Sequence, residues 1–176
     1  MTIPNLITVF RLVLVPIVIM MILQEDWGWA FALFVIAGVS DGLDGYIARR
    51  FEMRSEFGAL IDPLADKVLI VSIYVTLAIV EVIPAWLAIV IVFRDIMIVM
   101  AFMLSWMMAQ PMAVKPLFVS KVTTALQIAF AAFLLGGLAF ALELGLLIDL
   151  FALLIVVLTI MTAGIYLVRW LRHMAD

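Results

Sequence analysis

The chain has 176 residues, 69% of them hydrophobic and 13% charged, with 10 basic against 13 acidic side chains and a formal net charge of −3. Its mean hydropathy of +1.36 excludes an ordinary soluble globular domain and points to a polytopic helical membrane protein. Cysteine is absent, which excludes a disulfide framework, a thiolate metal site and a cysteine nucleophile.

In chain order, six apolar segments are expected to be transmembrane helices, near residues 4–24, 28–50, 59–80, 84–108, 117–141 and 145–171. The first reads as a retained helix: it is too long and too weakly basic at its front for a cleaved signal peptide, and no small-residue cleavage site follows it. Pro16 deletes a hydrogen bond inside it and should bend it. The second ends in a stretch holding Asp41, Asp44, Arg49 and Arg50, and the third opens with Asp62, Pro63, Asp66 and Lys67. Pro63 is expected in the first turn or so, where proline is tolerated. Pro84 suits the opening turn of the fourth helix, where its missing N–H is not needed. The breaks are short, "QEDWG", "EVIP" and "ELG" on one side and "FEMRSEFG" and "QPMAVKP" on the other. With no long soluble segment, low-complexity tract or repeat, the reading is a single all-α domain over residues 1–176, a bundle of six transmembrane helices.

Charge distribution orients the bundle. With a cytoplasmic N-terminus, Arg49, Arg50, Arg54, Lys115, Lys121, Arg169 and Arg172 all lie at or near inner ends. Arg11, Lys67 and Arg94 fall within spans but displaced toward the same side, and the outer breaks carry Glu25, Asp26, Glu81 and Glu143 without a lysine or arginine. This positive-inside asymmetry puts both termini in the cytoplasm. The expected location is the inner (cytoplasmic) membrane of a bacterium.

Four aspartates then need a reason to be where they are, because a carboxylate in hydrocarbon is costly and usually marks a site. At 1.5 Å per residue, Asp44 lies about 8 Å and Asp41 about 12 Å inside the end of the second helix, and Asp62 about 6 Å and Asp66 about 12 Å inside the third. Spacings of i,i+3 and i,i+4 give each pair one helix face. If the faces meet, four carboxylates converge in a pocket near the cytoplasmic surface. Either several are protonated by mutual repulsion or cations lie between them. An all-oxygen set without Cys or nearby His favours Mg²⁺, Mn²⁺ or Ca²⁺ over zinc. Two such ions a few ångströms apart suit phosphoryl chemistry, where they clamp the attacking and leaving oxygens. Gly42, Gly45, Ala48, Gly58 and Ala59 let helices or a phosphate ligand approach the backbone, and Arg49 offers a planar fork for phosphate or carboxylate.

The run Asp41-x-x-Asp44-Gly45-x-x-Ala48-Arg49, eight residues to Gly58, then Asp62 and Asp66, resembles the complete signature of the CDP-alcohol phosphatidyltransferase family. "IPNLITVFRL" at the N-terminus, "FRD" around Arg94 and "SKVTTALQ" from Ser120 to Gln127 look like segments of members that make phosphatidylglycerol phosphate or cardiolipin. The resemblance implies two divalent cations, Mg²⁺ or Mn²⁺, with Asp41, Asp44 and Asp62 as ligands and Asp66 as ligand, general base or both. It implies CDP-diacylglycerol bound with its diphosphate on the metals, and Gly45, Ala48 and Gly58 lining the nucleotide pocket, with Arg49 beside them. The acceptor hydroxyl attacks the β-phosphorus and CMP leaves. A homodimer with one site per protomer is implied too, in contact with membrane lipids and with no nucleic acid as partner.

Lys67, Arg94, Lys115 and Lys121 are candidates for binding a glycerol-type acceptor. The phosphatidylglycerol phosphate synthases of the family carry a second lysine two places after the position of Lys121, where this chain has Thr123. "KPLFVSKVTTALQ" looks more like the cardiolipin-forming members, whose acceptor is phosphatidylglycerol; glycerol 3-phosphate is the alternative acceptor. Simpler readings stand beside these. Asp41 and Asp44 alone would pass as interfacial charges, Gly42 and Gly45 as packing contacts, and Arg49, Arg50 and Arg54 as topology signals or anionic-lipid contacts. The twelve methionines read as lipid-facing or packing residues, and His173 as an interfacial charge. A divalent-cation channel or transporter is the alternative of another class. Transporter sites commonly lie at the midplane on broken helices, whereas these aspartates cluster toward one surface.

Overall fold

The computed structural model describes the backbone of residues 3–50, 56–107, 118–143 and 145–175, and side chains at 7, 9–42, 67–100, 119–143, 145–168 and 170. Among the described residues the chain is all-helical: α1 (Ile3–Leu23), α2 (Trp27–Arg50), α3 (Glu56–Ile79), α4 (Ala85–Met107), α5 (Phe118–Ala139) and α6 (Gly145–Ala175). Each coincides with one of the six apolar segments. Two of them, over Val119–Ala139 and Gly145–Val168, are long and apolar enough in their described residues to cross a membrane.

Local chemistry sets the helix ends. Glu25, Glu81 and Ala141 have φ of 58°, 59° and 50°, and each follows the C-terminus of an odd-numbered helix. At each, the N–H of the next residue reaches back five residues, as from Asp26 to Met21 O at 2.9 Å, Val82 to Leu77 O at 3.0 Å and Leu142 to Gly137 O at 2.9 Å. These are three Schellman caps built without glycine at the left-handed position. Asp26 then caps α2, accepting from Trp29 N–H through Oδ1 at 3.4 Å. Pro84 stands one residue before α4, and its carbonyl accepts from Leu87 N–H at 3.0 Å. Pro16 lies inside a continuous α1. Helix α3 starts three residues before the expected 59, so Pro63 sits about two turns in rather than in the first turn. Only the N–H groups of a first turn lack an intrahelical partner, so this proline removes one bond from the ladder.

The chain forms two compact units, one from Met1–Ile83 with Ala131–Glu143 and one from Pro84–Phe130 with Leu144–Asp176. In the first, α1 packs against α2 and α3. Its core is a set of helical stripes: Leu14, Val15, Val18 and Ile22 on α1, Ala30, Phe34 and Ala37 on α2, and Ile70, Ile73 and Leu77 on α3. The end of α5 joins this core, where a Cβ on Gly136 would meet the Phe31 ring at 3.3 Å and Phe31 packs edge-on against Phe140 at 5.9 Å. In the second unit, α4 packs against α6. Ala152, Ile155, Thr159, Thr162 and Tyr166 form the buried stripe of α6, at the alternating three- and four-residue steps of a helix seam.

Candidate functional site

The stripes of the first unit lead directly to charge. On α1 the buried register 22, 18, 15 continues to Arg11, which is 1% exposed, and on α2 the register 30, 34, 37 continues to Asp41. A guanidinium cannot shed its proton, so a buried one requires an anion. Arg11 Nη2 lies 2.6 Å from Asp41 Oδ1, and the Asp41 side chain stays 49% exposed. One carboxylate oxygen is therefore tied to α1 while the group as a whole keeps room for a second partner. Gly42, next to it, is exposed, and among the described residues a Cβ there would meet nothing within 4 Å.

The backbone carries the other aspartates at corresponding depths. Asp44 and Asp62 each stand six residues from their helix ends at Arg50 and Glu56, about 9 Å in; Asp41 and Asp66 stand nine and ten residues from those ends, about 14 and 15 Å in. Asp44 continues the α2 register 37, 41, and Asp66 and Asp62 stand four and eight residues before Ile70 on α3. Side chains of Asp44, Gly45, Ala48, Arg49, Gly58, Asp62 and Asp66 lie outside the described residues. Among the described residues no group of three acidic, histidine or cysteine side chains comes together, and of the four aspartates Asp41 alone is among them. The donor chemistry fits hard divalent cations: carboxylates on two rigid helices, with Asp41 oriented and accessible.

The basic candidates divide. Lys67 is half-buried on α3 in the first unit, Lys121 is exposed on the first turn of α5 in the second, and Lys115 lies outside the described residues. Arg94 on α4 is buried, and each terminal nitrogen has one polar partner: Nη1 donates to Asp95 Oδ1 at 2.6 Å and Nη2 to Ser120 Oγ at 2.6 Å. Ser120 begins a polar file on α5. Thr123 and Thr162 share a hydrogen bond at 3.0 Å, and Gln127 Nε2 donates to Thr159 Oγ1 at 3.4 Å. Sequence reasoning singled out neither Arg11 as the partner of Asp41 nor Asp95, Thr159 and Thr162. The available signal was register, since 11 falls in line with 15, 18 and 22, and 120, 123 and 127 share one helix face.

Comparison with known proteins shows the family. A family profile described as CDP-alcohol phosphatidyltransferase matches residues 1–168. The chain is 37% identical over 147 residues to a CMP-forming cardiolipin synthase of Rattus norvegicus and to that of Homo sapiens, covering 74% of this chain and 49% of each relative. A CMP-forming cardiolipin synthase of Streptomyces coelicolor is 39% identical over 104 residues, covering 56% of this chain and 48% of the relative. The chain thus spans about half the length of these curated relatives. With the profile running through the aspartate signature and nearly to the C-terminus, the chain belongs to the CDP-alcohol phosphatidyltransferase family.

Proposed function

We propose that the chain transfers the phosphatidyl group of CDP-diacylglycerol to the hydroxyl of phosphatidylglycerol, releasing CMP and forming cardiolipin. The observation that carries the reading is the complete aspartate signature on α2 and α3 in a chain whose relatives are named cardiolipin synthases. Asp41, Asp44, Asp62 and Asp66 would hold two divalent cations, Mg²⁺ or Mn²⁺, which would supply positive charge to the diphosphate and the departing CMP. Asp66 takes the proton of the acceptor hydroxyl. That oxygen bonds to the β-phosphorus as the bond from phosphorus to the bridging oxygen breaks, and the bridging oxygen leaves with CMP. Gly45, Ala48 and Gly58 leave space for the nucleotide, and Arg49 pairs with a phosphate.

Thr123 favours phosphatidylglycerol over glycerol 3-phosphate. This position, which holds a lysine in the glycerol 3-phosphate members, is here buried, with its hydroxyl engaged by Thr162. A soluble phosphate acceptor therefore gains no cation from it. Lys67, Arg94, Lys115 and Lys121 remain the candidates for acceptor contacts.

The reading includes six membrane spans, both termini and the site on the cytoplasmic side of a bacterial inner membrane, and a homodimer with one site per protomer. Supporting the spans, Trp86, Ile89, Phe93, Ile96 and Met100 form an exposed apolar stripe along α4, and Leu150, Leu153 and Val157 another on α6. Surfaces of that kind suit lipid rather than water. Initial rates of CMP release, with Mn²⁺ and CDP-diacylglycerol in mixed micelles, test the function. Release with phosphatidylglycerol and little with glycerol 3-phosphate is expected. The reverse preference would select the alternative acceptor, and no release with either would defeat the assignment.

A further inference from the structure

We propose that Arg11 is the positioning residue for Asp41, and that cation binding at the aspartate signature depends on the contact between them. The inference rests on the proposed role of Asp41 as a metal ligand. Arg11 carries a permanent charge on the buried stripe of α1, 1% exposed, and meets Asp41 Oδ1 on α2 at 2.6 Å. A charge so placed cannot be left without its anion, so the ion pair holds the Asp41 carboxylate against α1. The same carboxylate is half exposed beside the open space at Gly42. It is thus anchored on one side and accessible on the other, as a ligand held by an outer partner should be. Losing such a partner typically weakens metal binding about 10- to 100-fold.

The guanidinium also repels a dication, so its benefit comes from orientation and not from its charge. Arg11→Lys separates the two effects, because it keeps the charge and loses the planar fork. The experiment measures Mn²⁺ affinity of the full chain in detergent, by electron paramagnetic resonance of free Mn²⁺, with thermal unfolding recorded alongside. Arg11→Lys should raise the Mn²⁺ Kd about tenfold. Asp41→Asn should raise it further, and the double variant should match Asp41→Asn alone, because Arg11 acts through Asp41. A role confined to the fold would lower Tm and leave Kd unmoved. Unchanged affinity in Arg11→Lys with weakened affinity in Asp41→Asn overturns the inference and leaves the metal site standing. Unchanged affinity in Asp41→Asn removes Asp41 from the site and the inference with it. Should Arg11→Lys fail to fold, Asp41→Glu serves instead. It keeps the charge and displaces the carboxylate by one methylene, so an unchanged Kd there also overturns the inference.

Discussion

Arg11 and Arg94 are both 1% exposed and both meet an aspartate at 2.6 Å, one in each compact unit, yet their aspartates sit in different settings. The partner of Arg11 comes from another helix and remains half exposed, whereas Asp95 is the next residue on the same helix and is 4% exposed. Ser120 on α5 completes the second arrangement. One pair presents a carboxylate that has room for another partner; the other encloses its carboxylate and ties α4 to α5. Charge pairing alone therefore does not identify a site.

The largest effect should fall on the signature aspartates. Asp41→Asn or Asp62→Asn is expected to cut kcat and kcat/KM together by more than about a hundredfold, the scale of losing an electrostatic partner that acts in the transition state. CMP release at saturating substrates measures it, and wild-type rates in both variants would break the comparison at its functional end.

Next comes stability in the second unit. Removing one member of a buried pair costs about 3–5 kcal/mol, while replacing both by apolar groups is close to neutral. Arg94→Ala should therefore lower the unfolding midpoint markedly, and Arg94→Met with Asp95→Leu should recover much of the loss. If Arg94→Ala instead keeps its midpoint and raises only the acceptor KM, Arg94 is an acceptor ligand and not a tie between helices.

Two glycines sharpen the contrast between open and filled surface within the first unit. Gly42→Ala should stabilise α2 by up to about 1 kcal/mol through helix propensity while raising the KM for CDP-diacylglycerol, since the space beside Asp41 is the proposed substrate side. Gly136→Ala should gain less than Gly42→Ala, because its Cβ would meet the Phe31 ring at 3.3 Å and the ring would have to give way. Equal responses at the two positions would remove Gly42 as evidence for an open site. The smallest effect belongs to the caps. Glu81→Gly or Ala141→Gly should each add about 1 kcal/mol by relieving a left-handed residue that carries a Cβ, with activity unchanged; chemical or thermal unfolding in micelles reads it out.

The six helices were legible in the sequence to within a few residues because each is a long, mostly apolar run bounded by a short polar break. The signature aspartates were legible as pairs on common faces for an equally local reason, the 3.6-residue period. The early start of α3 was not, because "RSEFG" reads as a break until the helix is seen to begin at Glu56. Nor were the caps, whose left-handed residues are two glutamates and an alanine where glycine is the usual signal.

What only tertiary structure decided is which side chains meet. Arg11 with Asp41, Arg94 with Ser120, and Thr123 with Thr162 each join different helices. Nothing in the linear order distinguishes the open surroundings of Gly42 from the filled surroundings of Gly136 either. Helix period sets which residues share a face, and a sequence displays that period directly. The rotation of one helix against another is set by packing summed over many small contacts, and from that rotation follow the partner of each buried charge and the carboxylate left open to a ligand.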